Sequence, residues 1–182
     1  MMRYILWITG LPGSGKTALS KKLHTNLKKK KIKTKVIDGD NFRKKIADRD
    51  YGDDSRERIG FLKIKEAIKY YDKGYFVIVS GVAYKKKWRK NLRKFCEKRP
   101  FKEIFLKCSI KKCVKRNIAQ NKSRDLSNKN NYKYEEYKDY DLKINTSSMN
   151  LHEGYTRLNK FLKISNLNQS NTNLNNLKIN FY

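Results

Sequence analysis

Apolar and polar positions along the chain switch repeatedly between a continuous short run and a helical period, and the switching predicts strands and helices in turn. Tyr4, Ile5, Leu6, Trp7 and Ile8 form an apolar run of the kind a buried parallel strand shows. Leu19, Leu23 and Leu27 then recur at helical spacing, while Lys21, Lys22 and Lys28 face outward. A second strand over 35–38 ends in the turn Asp38-Gly39-Asp40, after which Asn41 opens a helix. Over 55–73 the residues Ile59, Leu62, Ala67, Ile68 and Tyr71 form an inward helical stripe, with Gly74 as the stop. The run YFVIVS at 75–80 is the clearest buried strand. Gly81 and a basic helix carrying Trp88, Leu92 and Phe95 follow it, and Arg99-Pro100 ends that helix. A strand over 102–108, a short helix over 110–116, a strand over 142–146 and a helix over 151–162 close the pattern.

Strands alternating with helices predict an α/β fold, a three-layer sandwich with a parallel five-stranded sheet covered on both faces by right-handed crossovers. Ligands of such sheets gather at the carboxyl ends of the strands. Residues 117–140 break the pattern with a polar, tyrosine-rich stretch too long for an ordinary connection, and they are expected to form a mobile lid. Residues after 164 are rich in asparagine and serine, which predicts a disordered tail behind a single domain over 1–164.

The candidate chemistry begins between the first strand and the first helix, where Ile8 to Thr17 read ITGLPGSGKT. This is a P-loop of the nucleoside-triphosphate-binding type. Gly10, Gly13 and Gly15 admit backbone angles that let successive N–H groups surround phosphate oxygens, with Leu11, Pro12 and Ser14 between them. Lys16 adds a mobile positive charge, and Thr17 is placed to ligate the Mg2+ that accompanies ATP.

A phosphate loop says that a nucleoside triphosphate binds, and an acidic centre has to decide what happens to it. The strand YFVIVS ends without an acid, so the turn Asp38-Gly39-Asp40 is the candidate. Asp38 or Asp40 could accept a proton from an attacking hydroxyl or order water on the metal; the same turn also suits a helix N-cap. Arg43 and Arg56 are candidates for an anionic group of the acceptor, since guanidinium makes two-pronged contacts with phosphate and sulfate. Arg116, where the lid begins, is placed to reach the nucleotide or the transferring phosphoryl.

Composition changes this picture little. The formal net charge of +28 taken alone suggests a polyanionic partner. Its lysines, however, are spread along every expected helix, and their abundance alongside Asn, Ile and Tyr is what A/T-rich codons favour. Solvated faces are the simpler reading, no nucleic-acid partner is expected, and a nucleic-acid-binding protein with a vestigial P-loop is the contrasting class. No apolar run is long enough to span a bilayer, none reads as a leader, and Cys96, Cys108 and Cys113 lack redox or metal spacing. A cytoplasmic protein is expected.

Taken in order, ITGLPGSGKTALS, VIDGDNFR, YFVIVSG and YEEYKDYDLKINTSS resemble the adenylylsulfate kinase family, with DGDN-x-R the specific element. The resemblance implies transfer of the ATP γ-phosphoryl group to the ribose 3′-hydroxyl of adenosine 5′-phosphosulfate, and a homodimer. It makes Asp38 the base or metal-ordering acid and Arg43 an acceptor contact. Arg56 matches the arginine of the family's R-x-x-N motif, and Arg89 the last arginine of its I-S-P-Y-R-x-x-R segment. Ile59 replaces the asparagine, Val82-Ala83-Tyr84-Lys85-Lys86 replaces I-S-P-Y-R, and the K-G-L-Y signature is missing after Arg116. Every departure lies on the acceptor side or the lid, so the same transfer to another nucleotide, such as a cytidine diphosphate derivative, is the alternative.

Overall fold

Five parallel strands form one sheet in the order β2-β3-β1-β4-β5. The computed structural model describes residues 3–120, 134–135 and 138–163. Its elements run β1 (Ile5–Gly10), α1 (Lys16–Lys29), β2 (Thr34–Ile37), α2 (Gly39–Lys45), α3 (Asp53–Asp72), β3 (Phe76–Gly81), α4 (Lys86–Phe95), β4 (Phe101–Lys107), α5 (Ile110–Ile118), β5 (Leu142–Asn145) and α6 (Leu151–Phe161). Most of the expected lid and the whole asparagine-rich tail lie outside the described residues.

The strand period of two divides the core. Ile5 and Trp7 of β1, with Val77 and Val79 of β3, face a cluster closed by Ile59, Ile64 and Ala67 of α3 and Leu92 of α4. Leu6 and Ile8, with Ile78, Ile104 and Ile144, face Leu19, Leu23 and Leu27 of α1 and Leu158 of α6. Each face of the sheet is thus covered by helices, and β1 and β3 read as unbroken apolar runs because both their faces are buried.

One expected stripe is corrected. Along α3 the buried set is Ser55, Ile59, Gly60, Lys63, Ile64 and Ala67, two adjacent columns of a helix face. Leu62 stands outside it, 36% exposed, while Lys63 is 4% exposed. At about 100° per residue, Ile59, Lys63 and Ala67 lie on one face and Leu62 is turned away. Phe95 is also exposed, against Phe61 at the edge of the cluster. All three cysteines are buried and free.

Two described residues from the far side of the lid segment pack firmly. The half-buried Tyr134 ring stacks on Phe105 at 4.7 Å, and its hydroxyl shares a 3.0 Å hydrogen bond with Thr9. Burial pushes that phenol above its usual range. The Glu135 carboxylate accepts from the backbone N–H of Lys86 at the start of α4.

Candidate active site

The carboxyl ends of β1, β2, β3 and β5 border one cavity of about 360 Å³. The P-loop forms one wall. Gly10, Gly13 and Gly15 all have positive φ. A Cβ on Gly10 would stand 2.6 Å from the carbonyl oxygen of Leu106, and one on Gly13 2.5 Å from that of Cys113. Glycine is therefore needed twice over at both positions, for the backbone angle and for close packing against β4 and α5. Gly15 caps α1 in the left-handed conformation, and beyond it the first turn of the helix points its open N–H groups at the loop.

The loop is braced from behind. Lys16 Nζ donates to the carbonyls of Gly10 at 3.0 Å and Leu11 at 2.7 Å, curling over the loop. Thr146, just past β5, donates its hydroxyl to the Ser14 carbonyl at 3.0 Å, and Arg116 donates to the Thr146 carbonyl at 2.8 Å. Among the described residues the buried Ser14 hydroxyl has no hydrogen-bond partner. A buried polar atom left in that state within an N–H-rich cradle is what a phosphate oxygen would satisfy.

Opposite the loop, Asp38 is the N-cap of α2. Its Oδ1 accepts from the backbone N–H of Asp40 at 3.1 Å and of Asn41 at 3.4 Å. Its Oδ2 accepts from the hydroxyls of Thr17 at 3.0 Å and Ser80 at 2.9 Å. Burial alone would raise this carboxyl, but the hydrogen bonds from Ser80, Thr17, Asn41 and Asp40 outweigh it and hold the pKa below the usual value. The two roles read from the acidic turn, helix cap and acid facing the phosphate loop, are thus held by one residue.

Pro12 to Thr17, Asp38, Asp40, Arg43, Arg56 and Arg116 line the cavity. Gly10 and Leu11 stand behind it, their carbonyls taken up by Lys16. Arg43 is 6% exposed, and its Nη1 donates to Asp48 at 2.8 Å, to Ser55 at 3.0 Å and to the Asp50 carbonyl. Arg56 donates to the Tyr51 carbonyl at 2.7 Å. Arg89 is outside the lining: it is 1% exposed and donates to the carbonyls of Ala83 and Glu135, with Nε 3.5 Å from Glu103. Its guanidinium also lies over the Tyr134 ring. Side chains of this site outside the candidates read from the sequence include Ser80, Thr146 and Lys63, and Thr146 had a signal within the INTSS segment.

The adenylylsulphate kinase family model matches residues 2–131. The chain belongs to this family. An adenylyl-sulfate kinase of Prochlorococcus marinus is 33% identical over 150 residues, which cover 78% of this chain and 74% of that relative. One of Thermodesulfovibrio yellowstonii is 32% identical over 112 residues, 60% of this chain and 56% of the relative. The match therefore spans little more than half the length of the latter. Among solved structures, the Mycobacterium tuberculosis APS kinase in complex with AMPPNP and APS superposes with a TM-score of 0.78 at 23% identity, covering 89% of this chain and 98% of that one. That likeness establishes the P-loop kinase fold for this adenylylsulphate kinase family member. No helix among its described residues is long and apolar enough to cross a membrane.

Proposed function

We propose that this protein transfers the γ-phosphoryl group of ATP to the ribose 3′-hydroxyl of adenosine 5′-phosphosulfate, giving 3′-phosphoadenylylsulfate and ADP. Family membership and one observation support the reading: Thr17, in the first turn after the phosphate loop, donates to Asp38, in the acidic turn, at 3.0 Å. Phosphate cradle and acid therefore share one edge of the cavity, as an in-line transfer requires.

In this reading Lys16 leaves its loop carbonyls to neutralise charge on the β- and γ-phosphates, together with the N-terminal N–H groups of α1. Asp38, supported over Asp40 by its four hydrogen bonds, orients the acceptor hydroxyl and takes its proton. The acceptor oxygen forms a bond to the γ-phosphorus as the bond to the ADP oxygen breaks. Arg43, Arg56 and Arg116 line the cavity, and in this reading the first two contact the acceptor and the third the nucleotide. A Mg2+ ion fits the hard oxygen donors gathered here: Thr17 and Asp38 would hold it, and it would supply charge neutralisation on the phosphates. The homodimer and the cytoplasmic setting belong to the same reading, and light scattering of the purified chain checks the first.

The test is ADP release with magnesium and ATP against adenylylsulfate, a cytidine diphosphate derivative, short RNA or no acceptor, with Lys16→Ala as the blank. Turnover with adenylylsulfate alone is expected. Turnover only with the cytidine nucleotide would replace the acceptor, and the absence of acceptor-dependent ADP would overturn the kinase reading.

A further inference from the structure

Lys63 lies in the middle of α3, where the helix faces the sheet. The residue is 4% exposed, yet it is among those that line the cavity. Nζ donates to the Ser80 carbonyl at 3.0 Å and stands 4.7 Å from the centroid of the Trp7 ring. The room comes from two glycines on different elements. A Cβ on Gly81 would collide with Nζ, and one on Gly39 would come within 3.5 Å of it. Gly81 has no positive φ to explain it, so what its missing side chain leaves room for is the ammonium.

An ammonium carries three N–H donors. Among the described residues Lys63 makes one hydrogen bond and no ion pair. A buried charge left so poorly matched is costly, and an anion reaching it from the cavity would offset that cost. The other cations on this side are differently placed. Arg43 is committed to Asp48 and Ser55, and Lys16 to the loop carbonyls. Lys63 sits behind Asp38 and Gly39, on the α3 side of the sheet and away from the α1 side of the phosphate loop.

We propose that Lys63 is a specificity-determining contact for the acceptor, its ammonium donating to an anionic oxygen of the acceptor nucleotide in the notch between Gly39 and Gly81. The proposal rests on the kinase reading above for the direction from which the acceptor enters. It selects anionic over neutral acceptors, because a neutral group would leave the buried charge uncompensated. Burial lowers the Lys63 pKa to about 7, with Asp38 and Asp40 pulling it up and Arg43 and Lys16 pushing it down, so an approaching anion favours the charged form.

The experiment follows tryptophan fluorescence, since Trp7 adjoins the ammonium, in the full chain with its phosphate loop saturated by magnesium and AMPPNP. Adenylylsulfate, cytidine 5′-diphosphate and uncharged adenosine are titrated into the parent, Lys63→Met and Lys63→Gln, and thermal melting verifies that each variant is folded. The glutamine keeps a donor for Ser80 should the methionine variant fail to fold. The expected result is affinity for an anionic nucleotide at least about tenfold weaker in the variants, with adenosine unchanged. Anionic nucleotides binding parent and variants within twofold, or binding none of them, would overturn the proposal. The readings separate cleanly. Lys63-dependent binding of the cytidine nucleotide without adenylylsulfate would replace the acceptor and uphold Lys63, whereas normal adenylylsulfate turnover by Lys63→Met would uphold the acceptor and remove Lys63.

Discussion

Thr17 and Asp38 are 21 residues apart in the chain, and their side-chain oxygens meet at 3.0 Å. One belongs to the first turn of α1 and the other caps α2, so the contact ties the phosphate loop to the turn after β2 across the strand end of β3. Ser80, at that strand end, completes the link with its own hydrogen bond to the same carboxylate oxygen.

The Asp38→Asn variant tests this junction as chemistry. Asparagine is as good an N-cap as aspartate, so α2 keeps its cap while the base is lost. Acceptor phosphorylation falls about 100-fold or more with ATP affinity retained, checked by ADP release and nucleotide titration. Near-normal turnover would move the role to Asp40.

The same residue predicts an acid limb in stability. Its folded pKa lies below the usual 3.8, held there by hydrogen bonds that outweigh burial. The stabilisation is therefore complete above the unfolded value and is lost as pH falls from there through the folded value. Urea midpoints of the parent and Asp38→Asn should differ by a constant amount at neutral pH and converge below about pH 4. A gap that closes between pH 5 and 8 would contradict the assignment.

Lys63 predicts a slope of the same sign in a higher pH window, where a cost is relieved instead of a gain acquired. Its folded pKa of about 7 lies below its usual 10.5, so between those values the unfolded chain binds more protons. Stability then rises with pH across that window, and the cost of the buried charge is fully present below pH 7. Lys63→Met should raise the melting temperature at pH 6.5, with the gain fading towards pH 10. A pH-independent difference would show that packing alone is at stake.

Two loop glycines should fail to different degrees. Gly13→Ala adds a Cβ 2.5 Å from the Cys113 carbonyl at a positive φ, whereas Gly15→Ala meets nothing within 4 Å and carries only the left-handed strain of about 1–2 kcal/mol. Chemical denaturation should show the larger loss for Gly13→Ala, and equal losses would contradict the close approach of loop and α5.

Arg89→Met should cost stability before it costs recognition. Removing this cation from beside the buried Glu103 is expected to destabilise by about 3–5 kcal/mol in urea unfolding, with the acceptor KM of the folded variant within about threefold of the parent. A large rise in KM at unchanged stability would make Arg89 an acceptor contact after all.

Much of the architecture was legible because its signals are local. The runs around Ile5–Gly10 and Phe76–Gly81 announce doubly buried strands, and the glycines of the P-loop need no partner to be recognised. Asp38 was readable as a candidate for the same reason, as part of a turn that follows a strand. Arg43, Arg56 and Arg89 look alike in a chain so rich in cations. What separates them is what each guanidinium touches, and those partners come from other elements: Ser55, Tyr51 and Glu103.

Lys63 marks the limit most sharply. In a sequence with 45 Lys and Arg residues nothing sets it apart, and its neighbour Leu62 looks the better core residue. The sequence by itself determined the strand–helix alternation, the phosphate loop and the acidic turn, since each depends on backbone geometry over a few consecutive residues. The tertiary structure alone decided the rotation of α3 about its axis, the choice of Asp38 for both hydroxyls, and the burial of an ammonium between Gly39 and Gly81. The reason is physical: those three depend on which surfaces meet when helix and sheet pack, and local pattern does not encode that.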